Sequence, residues 1–220
     1  MPKSKQKLKK PIETCAQGKV VDPYPFPPPK YSYSHLLDIA KNEHSFIHEH
    51  VMTLYFIASE FKCKRIVEIG TGMGESTLAL AMAAYKNDGH VTTFDIENCF
   101  EAKQLIEKQG LIDYVTFIQC DKEHINYIKW DGRIDLVFID GDHSEDAVRR
   151  DSYHYGLENV VEGGFMINHD TCNPAHPGVL AGLYTHYVHH GKKWVKYDWL
   201  NCNGLAVWRR NAVNRYDTSR

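Results

Sequence analysis

Two short runs hold the residues best suited to chemistry. Asp135-Leu-Val-Phe-Ile-Asp140 is followed by Gly141, Asp142, His143 and Ser144, and Gly164-Phe-Met-Ile-Asn168 is followed by His169 and Asp170. An apolar run that ends in polar residues reads as a buried strand whose carboxyl end presents functional groups. Open α/β sheets bind their ligands at that edge. If the two strands are neighbours, their ends lie about 5 Å apart, and Asp140 and Asp170 converge. Two close carboxylates repel unless one is protonated or a cation bridges them. Carboxylate oxygens favour Mg²⁺, Ca²⁺ or Mn²⁺.

A second stretch could hold an anion or a nucleotide. Residues 65–76 read Arg-Ile-Val-Glu-Ile-Gly-Thr-Gly-Met-Gly-Glu-Ser, an apolar strand followed by Gly70, Gly72 and Gly74. Leu78–Tyr85 is rich in Ala and Leu and reads as a helix. The free N–H groups at the start of such a helix attract an anion, and the glycines allow a ligand close to the backbone. The spacing is neither the dinucleotide G-x-G-x-x-G nor a P-loop. A tight strand-to-helix turn without a ligand gives the same pattern. The next apolar segment, 91–95, ends in Asp95. An acid there accepts hydrogen bonds from ribose hydroxyls in nucleotide-binding α/β folds, or else caps the following helix.

These groups need a sheet to position them, and the chain supplies its pattern. Strands are expected at 65–69, 91–95, 114–119, 134–139 and 164–168, with helices between them at 75–86, 99–110, 123–129 and 144–160. Strands separated by helices imply right-handed βαβ units and a parallel sheet. The end differs: 193–199 and 205–208 are strand-like and flank Asn201-Cys-Asn-Gly204, a hairpin signal. Upstream, apolar residues at three- and four-residue steps predict one helix over 35–61. His44 and His48 would share a face of it, read as solvated. His176, His186, His189 and His190 read as surface histidines.

The chain has 220 residues and a net charge of −2, which fits one domain without a general bias towards nucleic acid or membrane. Nothing in it approaches the ~20 consecutive apolar residues of a spanning helix. Residues 1–34 form a basic, Pro-rich arm: Lys3, Lys5, Lys7, Lys9 and Lys10, then Pro23, Pro25 and Pro27–Pro29 interleaved with Tyr24 and Phe26. The basic tip reads as a solvated tail, the proline run as an extended arm packed on the body. The domain is expected over 35–212, with 213–220 as a tail. Six scattered cysteines without a C-x-x-C pair read as reduced thiols, so a cytoplasmic location is expected.

The E-x-G-x-G-x-G run at Glu68–Gly74 resembles motif I of the class I S-adenosylmethionine (SAM)-dependent methyltransferases. Phe-Ile-Asp-Gly-Asp-His-Ser at 138–144 and Gly-Gly-Phe-Met-Ile-Asn-His-Asp-Thr at 163–171 resemble a metal-dependent O-methyltransferase subgroup. It comprises catechol-type enzymes and, more closely, macrocin-type sugar O-methyltransferases and cephalosporin-hydroxylase-like proteins. The resemblance covers roughly residues 60–210. It implies an α/β, Rossmann-like fold: a mostly parallel seven-stranded sheet with a C-terminal antiparallel hairpin and helices on both faces.

The resemblance also implies roles. Glu68, Gly70, Thr71 and Gly72 belong to the SAM-binding loop, and Ser76 would meet the methionine carboxylate. Asp95 and Ile96 would serve the ribose end, and Asp121 lies where related enzymes contact the adenine. Asp140 would serve both cofactor and metal. Family members hold a divalent ion with the acid at 140 and an acidic pair at 169–170. Here His169 departs from that pattern, and imidazole suits Mn²⁺, Fe²⁺ or Zn²⁺ better than Mg²⁺. The family's general base falls on His143, a histidine as in the sugar type.

The expected activity is SAM-dependent methyl transfer to a hydroxyl of a small molecule or sugar, with Asp140 and His143 as catalytic residues and a divalent metal, Mg²⁺ or Mn²⁺, assisting. The alternative is a non-methylating relative, either hydroxylase-like or a silent SAM- or metal-binding module. A homodimer is the assembly to test for. The acceptor is not legible in the sequence, because loops set it.

Overall fold

The computed structural model describes residues 33–120, 133–190 and 193–211. Residues 1–32 of the expected N-terminal arm, Asp121, the helix expected at 123–129 and the C-terminal tail lie outside them.

The elements run α1 (Ser34–Ala40), α2 (Val51–Glu60), β1 (Arg65–Ile69), α3 (Glu75–Lys86), β2 (His90–Asp95), α4 (Phe100–Lys108), β3 (Val115–Gln119), β4 (Ile134–Ile139), α5 (Glu145–Asp151), β5 (Val160–His169), α6 (Pro177–His190), β6 (Trp194–Trp199) and β7 (Leu205–Arg210). The sheet has seven strands in the order β3-β2-β1-β4-β5-β7-β6. β1 to β5 pair in parallel, while β7 pairs antiparallel with both β5 and β6. The strand order reverses between β1 and β4, and the cleft above such a reversal is where this sheet type binds ligands.

Both faces are covered because the central strands are apolar on both sides. Ile66, Leu136, Phe138 and Ile167 join Leu36, Leu54, Leu78 and Ile106 in one core, under α1 to α4. Val67, Ile69, Phe94, Val137 and Met166 join Val148, Tyr155, Val179, Leu183 and Trp208 in the other, under α5 and α6. Fully burying one such aliphatic side chain contributes about 1.5–3 kcal/mol, so the two cores hold the sheet edge rigidly in place.

Three elements differ from expectation. The helix expected over 35–61 is two helices. Between them Asn42 Oδ1 accepts from His44 N at 3.2 Å, and short turns run through Ser45 and His50. Such local side-chain bonds compete with the helix ladder, so His44 and His48 share no helical face. The helix expected over 144–160 stays α-helical only through α5. Ser144 caps its start through Ala147 N, and Ser152–Glu158 widens into a π-helix. The third is α6, absent from the sequence expectation. Gly178 and Gly182 lower its intrinsic propensity but let it lie hard against α5: a Cβ at Gly182 would sit 2.7 Å from Glu145 O.

Candidate active site

The glycine turn closes the end of β1. Gly70 has φ +94°, and a Cβ there would lie 2.0 Å from Asp140 O. Only glycine lets β1 and β4 approach this closely. Gly70 N donates to Phe94 O, and Asp140 N to Ile69 O, each at 2.8 Å. Asp95 reaches back from the end of β2 and binds the loop. Its Oδ2 accepts from Thr71 N at 2.9 Å and Gly72 N at 3.0 Å, and its Oδ1 from Glu97 N at 2.9 Å. Thus the acid expected at a ribose also shapes the turn that would cradle the ligand. Ile96 follows it, 46% exposed.

Beneath the turn Glu68 is fully buried. Its Oε2 accepts from Thr77 Oγ1 at 2.5 Å, while Oε1 has no hydrogen-bond partner. Burial pushes its carboxyl up to about 7, against the opposing pull of the Thr77 hydroxyl and of the nearby Ser76 and Thr93. Ser76 is buried in the first turn of α3. Thr71 Oγ1 and Thr93 Oγ1 lie 2.6 Å apart and tie the turn to β2.

The second group forms where β4 and β5 end side by side, Ile139 in register with Asn168. Asp140, His169 and Asp170 follow directly. Their donor atoms lie within 4.8 Å of one another, so the expected convergence of Asp140 and Asp170 is present. His143 Nε2 lies 2.9 Å from Asp170 Oδ2 and 3.4 Å from Asp140 Oδ1. Asp170 holds φ +57°, a left-handed conformation that costs a non-glycine residue about 1–3 kcal/mol and recurs at functional sites. Asn173 Nδ2 steadies it with a 2.8 Å bond to Oδ1.

His169 is 2% exposed. Its Nε2 lies 3.1 Å from the Cys202 carbonyl in the β6–β7 turn. A carbonyl only accepts, so Nε2 carries the hydrogen. Nδ1 therefore faces Asp140 Oδ1 at 3.5 Å and Asp170 Oδ2 at 3.6 Å, buried and without a hydrogen-bond partner. A lone pair aimed at two carboxylates calls for a proton or a cation between them.

The charges answer one another. For Asp170, burial raises the carboxyl, but His143 and His169 outweigh it and hold it far below the usual range. Asp140 shows the same opposition and ends lowered. Bonds to Asp140 and then Asp170 raise His143 to about 9. Burial lowers His169, but the same carboxylates carry it up to about 10. With only protons to balance them, the two carboxylates keep His143 charged.

Two residues stand here without a sequence signal. His176, read as a surface histidine, stacks on His143 with ring centroids 4.1 Å apart. The turn that starts at Asp170 delivers it, its N–H donating to Asn173 O at 3.0 Å. His50, buried before α2, meets His169 edge-on at 5.6 Å. His186 is also buried, its Nε2 2.7 Å from Arg149 O, and belongs to the α5–α6 contact. His189 and His190 end α6.

Residues 67–171 match a family model described as a methyltransferase domain. No curated protein matches the sequence. Solved structures match the fold over most of their length. The O-methyltransferase TomG from Streptomyces achromogenes, involved in tomaymycin synthesis and solved with SAM, is 18% identical with a TM-score of 0.63, covering 84% of this chain and 92% of that one. An O-methyltransferase from Bacillus cereus in complex with S-adenosylhomocysteine (SAH) is 18% identical with a TM-score of 0.63, covering 83% and 93%. A methyltransferase from Geobacter sulfurreducens is 20% identical with a TM-score of 0.60, covering 84% and 91%. Among the described residues no helix is long and apolar enough to cross a membrane. Sequence match and fold point the same way: residues 67–171 match a methyltransferase-domain model, and the described residues share the fold of these solved methyltransferases.

Proposed function

We propose that this chain transfers the methyl group of SAM to a hydroxyl of a small molecule or sugar, with a divalent ion held by Asp140, His169 and Asp170. One observation carries the metal part: the buried Nδ1 of His169 makes no hydrogen bond yet faces Asp140 Oδ1 and Asp170 Oδ2 at 3.5 and 3.6 Å. One nitrogen and two carboxylate oxygens fit Mn²⁺ or Fe²⁺ better than Mg²⁺. The Cys202 carbonyl fixes the His169 ring, as partners behind a ligating histidine do. When bound, the ion supplies positive charge that offsets the two carboxylates and acidifies an acceptor hydroxyl.

The glycine turn, Glu68, Ser76 and Asp95 would hold the donor at the ends of β1 and β2. His143 stands at the β4 end, where the acceptor would lie, and takes the hydroxyl proton at Nε2 once Asp140 and Asp170 no longer retain that position. The acceptor oxygen then forms a bond to the methyl carbon as the carbon–sulfur bond breaks and its electron pair returns to sulfur. Holding donor and acceptor in line supplies much of the rate.

The test measures SAH release with catechol, phenol and sugar acceptors, in Mn²⁺ and in EDTA. The reading expects turnover with at least one acceptor, loss in EDTA with SAH binding retained, and a rate on the order of 10²–10⁴ lower in His143→Ala. Full activity in EDTA together with an undiminished His143→Ala variant would refute the metal and base roles. SAH binding without turnover on any acceptor would favour a silent binding module.

A further inference from the structure

We infer that His50 is a positioning residue for His169, acting through the turn between β6 and β7. This rests on the metal reading proposed above and adds a residue from outside the sheet edge.

Successive carbonyls of that turn are each held by a buried imidazole. His50 Nε2 lies 2.9 Å from Asn201 O, and His169 Nε2 lies 3.1 Å from Cys202 O. His50 and His169 are 1% and 2% exposed, and their rings meet edge-on at 74°. Asparagine adopts left-handed backbone readily, cysteine does not. Cys202 has φ +46° and Asn203 φ +64°, and left-handed backbone at a residue such as cysteine persists only where neighbours over-determine it.

The segment before α2 does that. Glu49 accepts from Asn201 Nδ2, and Cys202 Sγ donates to Phe46 O at 3.1 Å. The same segment is anchored at its other side, where Ser45 Oγ donates to Glu75 Oε2 at 2.5 Å at the start of α3. It therefore bridges the helix that follows the glycine turn and the hairpin that carries the Cys202 carbonyl.

The direction of the Cys202 carbonyl decides which nitrogen of His169 carries the hydrogen and where the ring points. With Nε2 as donor, Nδ1 presents its lone pair to the space shared with Asp140 and Asp170. If the Asn201 peptide rotated, the Cys202 carbonyl one residue on would lose its aim. The ring of His169 could then turn, or carry its hydrogen on Nδ1, which cannot ligate. His50 restrains that rotation with one buried N–H donor. Its contribution is to geometry, since the His50 ring points at the turn and not at the ligand space. Removing partners of this kind weakens metal binding by about 10–100-fold.

The experiment titrates MnCl₂ into the full-length chain by calorimetry, with SAH titrations and melting curves alongside. Three variants are compared. His50→Gln places an amide N–H where Nε2 stands. His50→Asn places it where Nδ1 stands, short of Asn201 O. His50→Leu has no donor. The inference expects Mn²⁺ affinity within about threefold of wild type in His50→Gln and 10–100-fold weaker in His50→Asn and His50→Leu, with SAH affinity unchanged in all. If His50→Leu fails to fold, the Gln and Asn variants still decide, because both are polar and differ only in where the donor lies. Equal Mn²⁺ affinity in those two, whether wild-type or weakened, overturns the inference and leaves the metal site standing. Wild-type protein that binds SAH but no Mn²⁺ overturns both.

Discussion

Glu68 offers a stability measurement with a definite sign. The residue is fully buried, and burial carries its carboxyl from an ordinary 4.5 up to about 7. A folded value above the unfolded one means that the native state keeps the proton longer. Stability from this group is therefore full below about pH 4.5 and is lost as pH rises through about 7. The span from 4.5 to about 7, at about 1.4 kcal/mol per pH unit, amounts to about 3.5 kcal/mol in full. Glu68→Gln removes the titration and keeps the size of the side chain. Urea unfolding of ligand-free wild type and variant at intervals from pH 5 to 8 measures the effect. The variant's stability relative to wild type should rise by about 2–3 kcal/mol across that range. A difference that stays constant within about 0.5 kcal/mol, the size of an ordinary surface effect, would refute the argument. It would mean that Glu68 ionises in the folded chain as freely as in water, which its burial and unpartnered Oε1 forbid.

Other outcomes follow from the same geometry. Gly70→Ala should cost about 2–4 kcal/mol by denaturant melting and abolish SAH binding by calorimetry, because its Cβ would lie 2.0 Å from Asp140 O. Thr77→Val should cost about 1–3 kcal/mol at pH 8, where the Glu68 carboxylate loses a buried donor, and much less at pH 5. Mn²⁺ at 100 times its dissociation constant should stabilise wild type by about 2.7 kcal/mol, or roughly 5–10 °C in melting temperature, and should leave Asp170→Asn unmoved. In the metal-free chain the stabilising ion pair of Asp170 with His143 should be present above about pH 4. It fails at lower pH as the carboxylate protonates, and is lost again as pH rises through about 9 and His143 gives up its proton. A pH–stability curve compared with that of Asp170→Asn reads both edges.

Local pattern determined much of this protein. The apolar runs at 65–69 and 134–139 match β1 and β4 residue for residue, because a central parallel strand must be apolar on both faces and this leaves little freedom in the sequence. The polar residues just past those runs had to emerge at the sheet edge, so Asp95, Asp140 and Asp170 were legible as candidates. The hairpin at 201–204 was legible from its turn residues. Contacts between segments far apart in sequence were not. The helix over 35–61 is broken by turn bonds within 42–50, and that break lets His50 reach Asn201 O, 151 residues away. α6 forms despite two glycines because α5 offers it a close-packed face. His176 carries no periodic signal, and only the turn from Asp170 lays it on His143. The charge state of His143 was undecided too. An imidazole alone has one ordinary affinity for a proton, but two carboxylates brought from the ends of two strands raise it to about 9. The sequence names residues and their local conformations. Distances between charges on different strands exist only once the sheet is built, and those distances set protonation and ligand geometry here.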